Sequence, residues 1–221
     1  MKKRILSILL LCCMVLTMLP TTVLAADGPM DTIPKYDVSI DVYNRTSDIS
    51  IKDSRSYYIY SSVPDKLRDT WAWDKKIFIK GDKTAPHVFI DGVNIEMSPS
   101  SKGPAIELNK KASAYIYFIG KNSSLQGADG RAAIQKNRSE GQLYVLARTG
   151  TTVTCKGGDK AAGIGGSYAT RNISNGYYNG DMYGHGVNMH FGSRSNPDYW
   201  GGIIAAIGGN GGAGIGGGQG G

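Results

Sequence analysis

The ten residues Gly157 to Gly166, GGDKAAGIGG, return at Gly208 to Gly217 as GGNGGAGIGG, 51 positions later and with seven of ten identical. A repeat this close signals stacked, similar units. Each copy carries one branched apolar residue, Ile164 or Ile215, with alanine two positions before it and glycine on both sides. Residues two apart in an extended chain share a face, so Ala162 and Ile164 point the same way. The glycines permit the φ > 0 corners that follow. Each copy therefore reads as a short strand plus a corner of one coil in a β-solenoid.

The rest of the chain fits that unit. Alternating runs begin at Val38–Tyr43, Ser47–Ile51 and Tyr57–Tyr60, with polar breaks between them. The regular part starts at Lys76–Lys80. Three units follow, and each ends in an Ala-Ile or Ala-Gly-Ile step. The marker isoleucines Ile106, Ile134, Ile164 and Ile215 are spaced by 28, 30 and 51 residues. The first two spacings suit one coil each, and the third leaves about twenty residues for an insertion or an extra coil. Stacking would align these isoleucines in one inward ladder, each burial contributing about 2 kcal/mol. Val63 to Asp74, with Pro64, Trp71 and Trp73, reads as a loop or short helix covering an open end, because bare ladder edges recruit other chains. Residues 201–221 contain 12 glycines, and the chain stops inside a repeat. The fold class expected is all-β, a right-handed parallel β-helix (β-solenoid), truncated at its C-terminal end.

Compartment follows from the first residues. Lys2, Lys3 and Arg4 precede an apolar run, Ile5 to Met18, and Val23-Leu24-Ala25 offers small residues for cleavage. The run is short of the ~20 residues a membrane span needs. Leu11 before Cys12 argues against a lipoprotein signal. The organisation expected is a signal peptide at 1–25, then a linker, first strands and cap at 26–75, then coils at 76–221 with an insertion at about 167–200. The product would be secreted, extracellular or wall-associated, with no membrane span after cleavage. Cys155 is the one cysteine outside the leader, so no internal disulfide forms. It shares a strand face with Val153 and reads as a buried thiol.

Charge is unevenly placed. The full chain carries +7, and loss of the three leader charges leaves +4. Residues 27–65 sum to −3, residues 66–160 to +7 and residues 161–221 to zero. A basic middle favours anionic partners, and for an exported chain an acidic polysaccharide fits better than nucleic acid.

The series Phe89–Ile95, Pro104–Leu108, Ile119–Leu125 and the two Ala-Gly-Ile-Gly-Gly copies resembles the secreted right-handed parallel β-helix carbohydrate-binding domains of anaerobic Gram-positive bacteria, over residues 76–218. The resemblance implies non-catalytic binding of acidic polysaccharides, sometimes with calcium. It transfers no ligand residue to this chain, and calcium enters only through it; otherwise no cofactor is expected.

Catalytic patterns are poorly matched. Gly184-His185-Gly186 partly resembles a segment of pectin-cleaving hydrolases. Such enzymes need paired carboxylates, and after residue 160 the acids are Asp181 and Asp198 alone. His185 and His190 are five apart, on opposite strand faces, which makes a poor metal pair. Two surfaces remain as candidates. One is basic, with Lys110, Lys111, Lys121, Arg131, Lys136, Arg138, Arg148, Lys156 and Lys160, many of them at corners where stacking could align some. The other is the insertion, where Tyr177 and Tyr178 lie between two Asn-Gly turns and Tyr183 follows; aromatic faces among polar neighbours suit sugar rings. The same features also fit polar corners and a further coil. The reading is a polysaccharide- or host-glycan-binding β-helix, with a structural stalk or adhesin spacer as the alternative and a pectin-active hydrolase or lyase third.

Overall fold

The computed structural model describes residues 33–81, 83–101, 103–109, 111–136, 140–169, 185–192 and 199–219. The chain divides after Ile33, and the described strands lie in the unit Pro34–Gly221. Strands β1 (Val38–Asp41) and β2 (Ile49–Ile51) open the stack, and β3 (Ser56–Tyr60) and β4 (Ile77–Lys80) follow. Four three-strand turns come next. The first is β5 (His87–Asp91), β6 (Asn94–Glu96) and β7 (Ile106–Asn109); the second is β8 (Ala114–Ile119), β9 (Ser123–Gln126) and β10 (Ile134–Gln135). The third is β11 (Leu143–Ala147), β12 (Thr152–Lys156) and β13 (Ile164–Gly165); the fourth is β14 (Met189–Phe191), β15 (Ile203–Ile207) and β16 (Ile215–Gly216).

These strands stack into three parallel sheets. Sheet A runs β1-β3-β5-β8-β11-β14, sheet B runs β2-β4-β7-β10-β13-β16, and sheet C runs β6-β9-β12-β15. The architecture is the parallel β-solenoid that the repeat predicts. Strand alternation builds its core. In β8, Ala114, Ile116 and Phe118 are buried while Tyr115 and Tyr117 face out half-buried. One inward column joins Ile49, Ile77, Ile106, Ile134, Ile164 and Ile215 in direct register. The first five are at most 2% exposed, whereas Ile215 is 47% exposed because it sits on the last described coil.

The Ala-Gly-Ile-Gly-Gly repeat has a packing reason. A Cβ on Gly163 would stand 2.6 Å from the Cys155 carbonyl, and one on Gly165 would meet the Gly216 carbonyl. Gly165 and Gly216 also hold φ of 129° and 132°, which favours glycine. Consecutive corners thus lie backbone against backbone, and Ile164 reaches the core cluster.

The stretch 63–74 closes sheet C. A short 3₁₀ turn, Asp65–Leu67, precedes Trp73, which bridges Ile95 in parallel. The Trp73 N–H donates to the Asn94 carbonyl at 2.8 Å and Glu96 N–H to the Trp73 carbonyl at 3.0 Å. Its indole Nε1 donates to the Arg45 carbonyl at 2.8 Å, so its bulk is buried with its one polar atom paired. Part of the stretch predicted as an insertion, Met189–Phe191, is the sheet A strand of the fourth full turn. Among the described residues no helix is long and apolar enough to cross a membrane.

Candidate functional site

The outer face of sheet A carries two aromatic columns. His87, Tyr115, Tyr144 and His190 occupy successive register positions. Their ring centroids lie 4.7, 4.5 and 4.5 Å apart, with planes 5°, 8° and 14° from parallel. That is the spacing of the strands themselves. The faces of Tyr115 and Tyr144 are therefore used on their neighbours in the column, and their edges and phenol hydroxyls are what reach solvent. No sugar ring fits between them. This column fastens the strands.

The second column is Tyr58, Phe89 and Tyr117. Tyr58 (7% exposed), Phe89 (8%) and Ile119 (1%) make a small apolar cluster outside the solenoid. Around it stand Tyr60, stacked on Tyr58 at 5.1 Å, and Tyr36, stacked on Tyr58 from another side at 5.2 Å. Tyr117 meets Trp200 at 5.1 Å with planes 40° apart. Tyr36 is exposed, and Tyr60, Tyr117 and Trp200 are half-buried. All four rings therefore keep part of their surface in solvent.

Where sheet A turns into sheet C lies an open trough of about 690 Å³. Glycine makes the turn: Gly92 and Gly120 have φ of 61° and 66°, left-handed values that side chains resist. A Cβ on Gly120 would lie 2.5 Å from the Asp91 carboxylate, and one on Gly92 2.5 Å from the Arg68 guanidinium. The floor is the outer face of sheet C, where Asn94, Ser124 and Thr154 fall in register. One wall is Asp65, Arg68 and Asp69; the corner supplies Lys121, Asn122 and Thr152. A smaller recess of about 140 Å³ shares Asp69, Asn94 and Ser124 and reaches Trp71 and Gln126.

The wall is held by charge. Lys121 Nζ lies 2.9 Å from Asp65 Oδ1, and Arg68 Nη2 lies 3.2 Å from the same oxygen. Arg68 also donates to the carbonyls of Gly92 at 3.2 Å and Val63 at 3.3 Å. The hydrogen bond from Lys121, aided by its charge and by Arg68, holds the Asp65 carboxyl below the usual carboxylate range. The amides are part of the frame. Asn94 donates to the Arg68 carbonyl at 2.9 Å and accepts from Ser124 N–H at 3.1 Å. Asn122 accepts from Thr152 N–H at 2.8 Å. Ser124 and Thr154 stand outward on this floor, exposed and half-exposed. Asp91 ties trough to aromatic cluster: one oxygen accepts from the Tyr58 hydroxyl at 2.8 Å, the other from Lys121 N–H at 2.9 Å. The chemistry on offer is hydrogen bonding and charge pairing. An acid kept ionised by two cations is a poor proton donor.

Of the residues singled out from sequence, Lys121 stands in the trough and the others fall elsewhere. Tyr177, Tyr178, Tyr183, Lys110 and Arg138 lie outside the described residues. Lys111 is exposed at the corner from sheet B to sheet A. Lys136 sits at the same corner one coil on but is 1% exposed, with Nζ donating to the Glu140 carbonyl at 2.9 Å. Burial lowers its pKa, and it adds nothing to an exposed basic surface. Arg131 is half-buried at a different corner, between sheets C and B. The described basic residues of that set do not converge on one face. Sequence reasoning passed over Asn94, Ser124 and Thr154, although they recur at intervals of 30 residues beside buried neighbours.

Among the described residues no group of three or more His, Cys, Asp or Glu is placed to hold a metal ion. No protein-family model, curated protein or solved structure matches the chain.

Proposed function

We propose that this protein is an exported glycan-binding β-solenoid that holds a polysaccharide in the trough between sheets A and C. The observation that carries the reading is that trough: an open channel floored by Ser124 and Thr154 in register and walled by the Asp65–Lys121–Arg68 network. Hydroxyl, amide and ionic groups set along a rigid face match the dense hydroxyls of a sugar chain, and Ser124 and Thr154 on successive coils place two hydroxyls one strand spacing, ~4.8 Å, apart. Individual contacts of this kind are weak, so affinity would come from several coils acting together. The leader at residues 1–25 supports export to the cell surface or medium. The family resemblance in the sequence points the same way.

Co-sedimentation with insoluble neutral and acidic polysaccharides tests the reading. Ser124→Arg with Thr154→Arg fills the floor at outward positions and should abolish retention while the melting temperature stays within a few degrees. Retention equal to that of the parent would overturn it. N-terminal sequencing of protein recovered from culture medium should begin near Ala26; an intact Met1 there would refute the export reading.

A structural spacer remains the second reading. The continuous isoleucine column and the stacked outer rings favour it, because both stiffen the solenoid along its axis. A spacer would bind none of the polysaccharides.

A further inference from the structure

The aromatic cluster beside the trough has no evident need to be where it is. The solenoid core is already continuous from Val42 to Ile164 without it. Yet Tyr58, Phe89 and Ile119 form a separate apolar patch on the outside of sheet A, screened from water by Tyr36, Tyr60, Tyr117 and Trp200. What solvent meets there is rings with polar tips. Phe89 and Ile119 lie underneath at 8% and 1% exposure. The last described coil is the contrast, where Ile203 and Ile207 stand 60% and 48% exposed. An aliphatic surface of that sort suits another protein segment. A surface of tyrosine and tryptophan, apolar across the ring and hydrogen-bonding at its edge, suits a sugar, which is built the same way.

Place sharpens the argument. Tyr60 and Asp91 end their strands in register, and Trp200 comes just before β15. The cluster therefore borders the corner that the trough occupies. Asp91 is hydrogen-bonded to both, through Tyr58 on one side and Lys121 on the other. Gly120, which lines the trough, has no side chain to raise a barrier between them.

We propose that Tyr60 and Trp200 form a stacking subsite continuous with the trough, so that one glycan chain crosses the corner over Gly120 and Lys121. The inference rests on the trough reading and names its ligand class. A β-linked glucan, with every ring hydroxyl equatorial, presents C–H to both sides and can lie flat on tyrosine or tryptophan, while Asp65 and Asp69 balance Arg68 and Lys121 in the wall and leave no excess positive charge for a polyanion. The subsite therefore selects a β-linked neutral glucan over a polyuronate. The polar trough grips the hydroxyls, and the rings discriminate among sugars.

The test measures affinity of the leader-free protein for hydroxyethyl cellulose and for polygalacturonate, by affinity electrophoresis. The variants are Tyr60→Leu, Trp200→Leu and the Ser124→Arg/Thr154→Arg pair. Leucine keeps apolar cover over Tyr58 and Phe89 but removes the ring face. Trp200→Phe keeps a ring and should bind as the parent does, which separates loss of stacking from loss of packing; melting curves accompany every variant. Each leucine variant should bind hydroxyethyl cellulose roughly three- to tenfold more weakly, with a smaller change for polygalacturonate. If folded leucine variants bind as the parent does while the arginine pair does not, the subsite is wrong and the trough reading stands. If the leucine variants lose binding and the arginine pair does not, the rings bind sugar by themselves, and the trough reading falls together with the continuity proposed here. Parent binding by all three variants overturns both, as does a parent preference for polygalacturonate in the case of the ligand class.

Discussion

Tyr144 lies face to face on Tyr115, ring centroids 4.5 Å apart and planes 8° from parallel, and on its other side it meets His190 at the same distance. Aromatic pairs add about 0.5–1.5 kcal/mol beyond area burial. Tyr144→Ala deletes two of them, so it should lower stability by about 1–3 kcal/mol in urea. Glycan retention should be unchanged, because the ring faces are closed to ligands. Loss of retention in a variant that melts like the parent would show that this column binds.

The isoleucine column should be energetically graded. Ile134 is fully buried between Ile106 and Ile164, so Ile134→Ala should cost about 2–5 kcal/mol. Ile215 occupies an equivalent register position but is 47% exposed, and Ile215→Ala should cost less than about 1 kcal/mol. Equal costs in chemical denaturation would mean that Ile215 is buried in solution.

Two glycines separate the cost of backbone geometry from the cost of crowding. Gly120 and Gly150 both hold left-handed φ, 66° and 84°. A Cβ at Gly150 meets nothing within 4 Å, while one at Gly120 strikes the Asp91 carboxylate. Gly150→Ala should cost about 1–2 kcal/mol. Gly120→Ala should cost more, because it also dislodges Asp91 from Tyr58 and Lys121. Thermal unfolding of the pair checks the order, and a Gly150→Ala variant at least as damaged as Gly120→Ala would contradict it.

Burial pushes the Cys155 thiol up to about 12. A raised thiol pKa keeps the thiolate scarce at ordinary pH, so the native protein should resist a disulfide-exchange reagent at pH 8 and even at pH 9. It should react fully once unfolded in guanidinium. Prompt stoichiometric labelling of the native protein at pH 8 would place Cys155 at the surface.

Several features were plain in the residues. The inward column was legible because its members must be apolar and branched, and that requirement survives irregular spacing: Ile106, Ile134 and Ile164 could be picked out before any pairing was known. Cys155 as a buried thiol followed from its position two residues after Val153. The polar stretch around Pro64 also announced itself as something other than a regular coil, although its contribution to a trough wall did not.

The outward residues were another matter. An outer position tolerates almost any polar or aromatic residue, so its type says little about its neighbours. Ser124 and Thr154 touch through parallel pairing, yet they are 30 residues apart in sequence, and Tyr144 and His190 are 46 apart. Which of these align depends on the length of every turn between them. Basic residues looked like one surface because they were dense along the chain; the coils assigned Lys111 and Arg131 to different corners and buried Lys136.

By itself, then, the sequence determined a stack of coils, its inward column and the glycines that let adjacent corners touch. These are properties of single residues and their local periodicity, enforced by the cost of exposing apolar groups and by the limits on φ. Only the tertiary structure decided that Asp65, Lys121, Ser124 and Thr154 share a trough and that Tyr60 and Trp200 border it. Those groups meet through register between coils. Register is fixed by the whole ladder of parallel hydrogen bonds, and no short stretch of the chain contains it.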